Sequence, residues 1–122
     1  MEKKKSDGNK IKTGISEFLM AHGCPTEYLG FSILCDLLKA ALENYADLTL
    51  NLKSIYLTVA DQRKITRLSM ERNLHTLVTK WSVDPKFKEL FATEPTNAQL
   101  INLLACKLRY LNCSVYDTLL MP

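Results

Sequence analysis

Two histidines, four cysteines and thirteen acidic residues are the groups from which a nucleophile, a base and an orienting partner would have to be drawn. His22 closes the first helical stretch and His75 sits midway along a basic one. Only His75 has a carboxylate one helical turn away, Glu71, and an i,i+4 pair of that kind reads as a surface contact rather than an acid–base dyad. Cys24, Cys35, Cys106 and Cys113 are scattered, without a C-x-x-C pair, so tetrahedral zinc is not expected. They read as small buried hydrophobes of a reduced, cytoplasmic protein. Gly8, Gly14, Gly23 and Gly30 fall in no phosphate-cradling frame. The residues predict neither an enzyme nor a cofactor.

The chemistry on offer is cationic and local. A net charge of +3 over 122 residues argues for no partner by itself, but the charge is unevenly placed. Residues 16–49 carry Lys39 against five acids, whereas residues 53–81 carry Lys53, Arg63, Lys64, Arg67, Arg72 and Lys80 against Asp61 and Glu71. A basic block of this kind suits a polyanion; a solvated helix face gives the same count.

The elements that must carry these groups are helices. With 47% hydrophobic residues, four glycines and four prolines, the chain is long enough for one cored domain and too short for a two-domain enzyme. Ile11, Ile15, Phe18 and Leu19 recur at helical spacing, and Gly23 followed by Pro25 stops that helix. Thr26–Tyr45 reads as a central buried helix, with Leu29, Ile33, Leu37, Ala41 and Tyr45 on one stripe and Leu34, Leu38 and Leu42 widening it. Leu48–Asn51 is too short for a paired strand and reads as a linker.

Leu52–Gln62 and Thr66–Trp81 follow, joined through Arg63-Lys64-Ile65, the second turning Met70, Leu74, Leu77, Val78 and Trp81 inward. Asp84-Pro85 pairs an N-cap acceptor with a proline suited to a first turn. Thr96 and Gln99 form a capping box for a last helix through Leu111, whose inward stripe is Leu100, Leu103, Leu104, Leu108 and Leu111. The expected fold is therefore all-α: a six-helix bundle over residues 11–112, between a polar, basic arm (1–10) and an apolar tail (113–122) that docks on the body or on a second copy. Neither a signal peptide nor a membrane-spanning run is expected from the sequence.

Helices 52–62 and 66–81 and their short connection have the form of a helix-turn-helix, in which the first helix braces and the second offers side chains to base edges. Arg67, Ser69, Glu71, Arg72, His75, Thr76 and Thr79 are expected outward, arginine suiting guanine O6/N7 and glutamate accepting from cytosine N4. Arg63, Lys64 and Lys80 are placed for phosphates. The glycine usual in such a turn is missing.

The segment Glu94-Pro95-Thr96-Asn97-Ala98-Gln99-Leu100-Ile101, running on to Lys107-Leu108-Arg109, together with Gly23-Cys24-Pro25 and Tyr28-Leu29-Gly30, resembles the C-terminal DNA-binding domain of the master sporulation response regulator of endospore-forming Firmicutes. The resemblance spans roughly residues 11–112 and implies a six-helix bundle whose fourth helix, here Thr66–Trp81, enters the major groove of double-stranded DNA. Met70-Glu71-Arg72 matches the apolar-Glu-Arg of that face. The resemblance also implies a transcription regulator that binds tandem sites as paired copies and contacts RNA polymerase sigma factor. Ser69 and His75 stand where the family has basic residues, Tyr56-Leu57 replaces its Tyr-Pro, and the turn is one residue shorter; the family's receiver domain has no counterpart in this sequence. The same residues suit a second function: a degenerate helix-turn-helix that binds a full-length regulator or sigma factor without reading DNA. The two readings divide on whether Arg72 is needed for specific DNA binding.

Overall fold

The structure, a computed structural model, describes the backbone of residues 13–43 and 52–120 and the side chains of 13–43 and 52–109. Six helices and no strand occur among the described residues: α1 (13–21), α2 (Leu29–Glu43), α3 (Leu52–Arg63), α4 (Arg67–Trp81), α5 (Pro85–Leu90) and α6 (Asn97–Leu120). The expected linker at Leu48–Asn51, the 1–10 arm, Ile11 and Tyr45 lie outside the described residues. None of the described helices is long and apolar enough to cross a membrane.

Helix α2 is the axis, packing on α3, α4 and α6. Ile33, Leu34, Cys35, Leu37, Leu38 and Ala41 are buried along it, a stripe broad enough to meet several neighbours at once. Its crossing with α4 is close because Gly30 has no side chain: a Cβ there would lie 2.4 Å from the Asn73 carbonyl oxygen and 2.9 Å from Leu77 Cβ. Met70, Leu74, Leu77, Val78 and Trp81 form the buried face of α4, as their spacing predicts. Trp81 anchors the far end, its Nε1 donating to the His22 carbonyl at 2.9 Å while Phe87 and Phe91 pack edge-on against its ring.

Local signals set most helix ends. Gly23 takes φ +80° at the end of α1, where its lack of a Cβ also leaves room for the Asp84 carboxylate. Asp84 Oδ1 accepts from the Lys86 amide ahead of Pro85, and Thr96 and Gln99 exchange the reciprocal bonds of a capping box at 3.0 and 3.2 Å. Burial raises the Cys24 thiol to about 12, with Cys35 adding to the shift.

Five expectations need correction. Cys106, expected with the other cysteines as a buried hydrophobe, is exposed on α6. Helix α2 begins at Leu29 rather than Thr26, residues 26–28 forming a bend with Tyr28 accepting from the Phe31 amide. Leu29 is consequently a first-turn residue, 55% exposed, and no part of the core stripe. Leu103 is 44% exposed, because the buried face of α6 runs through Leu100, Ile101, Leu104, Ala105 and Leu108. Helix α6 continues past Leu111 to Leu120, since neither glycine nor proline interrupts 112–120; the segment expected as a separate tail is largely an extension of this helix.

Candidate nucleic-acid interface

Helix α3 ends at Arg63, and residues 64–66 reverse the chain into α4. Lys64 takes φ 56°, the left-handed conformation that glycine fills most easily, so the turn is made at this position without the glycine. The Ile65 amide donates to the Ala60 carbonyl at 3.1 Å, closing the end of α3. One residue later Thr66, extended at φ −78° and ψ 156°, caps α4 by accepting from the Ser69 amide at 3.0 Å. The two helices are thus joined by a short connection closed by hydrogen bonds at both ends.

Because a helix turns about 100° per residue, the buried stripe of α4 fixes what lies opposite it. Arg72, His75 and Thr79 fall on that outward face with Thr76 beside them, and all four are exposed. Thr76 Oγ1 donates to the Arg72 carbonyl at 3.1 Å, leaving the hydroxyl able to accept. Lys64 and Lys80 are exposed near opposite ends of the helix. A chain of hydrogen-bonding and cationic groups therefore runs along solvent for most of the length of α4.

The remaining expected site residues are engaged differently. Arg67 and Glu71 pair with each other at 3.0 Å on one flank, and the Arg67 guanidinium stacks 4.8 Å above the centre of the Tyr56 ring on α3. Burial, then the Glu71 carboxylate, hold the Tyr56 phenol above its ordinary range, with Arg67 opposing them. Ser69 is half-buried beside the cap, its carbonyl accepting from Asn73 Nδ2 at 2.8 Å. Arg63, expected at phosphates, is turned to the body of the protein: its Nε donates to Asp36 Oδ2 at 2.7 Å and its Nη2 to Ser32 Oγ, both on α2. Its guanidinium braces α3 against α2 and stands apart from the outward face of α4.

Two residues outside the expected set of DNA contacts belong to this region. Asn97 Nδ2 donates to the Glu71 carbonyl at 3.3 Å, so the Pro-Thr-Asn segment caps α6 and also fastens it to the middle of α4. Leu68 is 56% exposed on the first turn of α4, within the outward face. Its place off the buried stripe was the available signal.

His22 is occupied locally, its Nδ1 bonding to the Phe18 carbonyl at 2.9 Å, while Glu71 takes Arg67 as its partner. Among the described residues no group of three His, Cys, Asp or Glu side chains is gathered as metal ligands would be. A polar cleft of about 260 Å³ between α2 and α3 is lined by Asp36, Lys39, Ala40, Glu43, Thr58 and Gln62 and touches no residue of α4. No protein-family model matches the chain, and no curated protein matches it.

Proposed function

We propose that this chain is a DNA-binding transcription regulator of the sporulation-regulator effector type, with α3 as the bracing helix and α4 reading the major groove. The observation that carries the reading is the outward face of α4. Arg72, His75, Thr76 and Thr79 are exposed together on a helix whose opposite face is fixed in the core and whose entry is a tight, capped turn. A helix held in this way can enter a major groove without unfolding anything, and arginine, histidine and threonine offer the donors and acceptors that base edges present.

Within this mechanism Arg72 pairs with guanine O6 and N7, and Lys64 and Lys80 meet phosphates on either side of the groove. Glu71 keeps Arg67 on Oε1 and offers its second carboxylate oxygen to a cytosine amino group. Paired copies on tandem sites, a contact with RNA polymerase sigma factor and a cytoplasmic location belong to the same proposal.

Fluorescence anisotropy across a salt series tests it, on a duplex carrying tandem boxes of the sporulation-regulator type, on duplexes selected by this protein from a random pool, and on scrambled controls. Discrimination that persists as salt rises, and that Arg72→Ala removes, is the expected result. Equal affinity for all duplexes, vanishing with salt, overturns the reading and leaves partner titration as the function to pursue.

A further inference from the structure

Helix α4 carries six large apolar residues, and five of them, Met70, Leu74, Leu77, Val78 and Trp81, are at most 2% exposed. Leu68 is the exception at 56%. Its position is not peripheral: at about 100° per residue, Leu68, Arg72, His75 and Thr79 lie within about 60° of one another, so the leucine sits at the N-terminal end of the centre line of the outward face. It has no part in the cap, which Thr66 and the Ser69 amide complete without it.

The exposed part of this leucine, at the N-terminal end of a polar, cationic face, contributes no burial energy to the folded monomer and gains free energy when something apolar covers it. The charged surroundings, with the exposed Arg72 one turn further along α4 and the exposed Lys64 in the connection just before the helix, match a polyanion rather than an apolar protein surface. On the base edges of a duplex the apolar group that faces the major groove is the C5-methyl of thymine.

Resting on the major-groove reading above, we propose that Leu68 is a specificity-determining residue that selects a thymine by packing against its C5-methyl group, next to the guanine taken by Arg72. The spacing follows from geometry. Residues 68 and 72 are four positions apart, about 6 Å along the helix, against about 3.4 Å per base pair. The thymine therefore stands one or two base pairs from the guanine. Cytosine lacks the methyl group, and a purine at that place would set polar atoms against the leucine, so each is disfavoured.

The test begins with duplexes that the wild-type protein selects from a random pool. Each thymine of the selected site is then replaced, one at a time, by deoxyuridine, which removes the methyl group and leaves every hydrogen bond. Affinities are measured for the wild type, Leu68→Ala and Leu68→Gln, with thermal melting to establish that each variant folds as the wild type does. At one thymine, deoxyuridine should weaken wild-type binding about fourfold, the worth of one buried methyl group, and should leave both variants unaffected. Specific binding in which no thymine shows this dependence on Leu68 overturns the proposal while the DNA reading stands. A pool from which no sequence is enriched overturns both.

Discussion

Arg63 Nε donates to Asp36 Oδ2 at 2.7 Å across 27 positions of sequence, each side chain little more than one-fifth exposed. With the Ser32 hydroxyl also taking the guanidinium, this pair ties the last residue of α3 to α2. Arg63→Ala should lower stability in urea by about 1.5 to 3 kcal/mol, the range for hydrogen bonds to charged groups. It should leave the slope of log affinity against log salt for any DNA unchanged. A slope shallower by about one would instead make Arg63 a phosphate contact.

Lys64 gives the opposite prediction. A non-glycine residue in the left-handed region costs about 1 to 2 kcal/mol, while glycine's extra freedom in the unfolded chain returns about 0.5 to 1. Lys64→Gly should therefore stabilise the protein by up to about 1 kcal/mol. Lys64→Ala, which removes the same charge but keeps the Cβ, should leave stability nearly unchanged. In salt titrations with DNA both variants should lose about one phosphate contact, separating the backbone effect from the charge effect.

The contrast between these neighbours shows what could be read without coordinates. Helix ends were legible where a side chain acts within a few residues: Asp84 on Lys86, Thr96 with Gln99, Gly23 before Pro25. The core face of α4 was legible because burial repeats with the helical period. Arg63 was misplaced because its partners, Asp36 and Ser32, lie 27 and 31 residues away and are chosen by the packing of α3 on α2. Leu29 and Leu103 fall on the apolar stripes by spacing, but where a helix begins and which way its face turns depend on the neighbours it meets. Of the expected interface, the structure gathers Arg72, His75 and Thr76 on one face, sets Lys64 and Lys80 at its ends, and pairs Arg67 with Glu71 at its side.

Gly30→Ala tests how firmly α2 positions α4. The added methyl group would meet backbone, the Asn73 carbonyl at 2.4 Å, which cannot rotate away as a side chain would. The two helices must then move apart at their closest approach. A loss of about 1 to 3 kcal/mol is expected by urea denaturation, the usual cost of overpacking. Gly14→Ala is the control: no atom lies within 4 Å of a Cβ there, so stability should hold or rise slightly.

The buried thiol of Cys24 predicts a loss of stability in alkali. Its value is raised from 9.0 to about 12 by burial, with a further contribution from Cys35, so the folded state keeps a proton that the unfolded chain gives up. Below about pH 9 both states are protonated and the thiol has no effect on the balance. As pH rises from there toward 12, only the unfolded state ionises, and the folding constant falls by up to about tenfold per pH unit from this group. Tyr56, also raised by burial, adds a slope of the same sign, so the comparison must be made between proteins that share it. Urea titrations of the wild type and Cys24→Ala at a series of pH values from 8 to 11 should differ by a constant up to about pH 9, with the gap narrowing above it. A gap that stays constant to pH 11 would mean that the Cys24 thiol ionises in the folded protein as readily as in the unfolded chain.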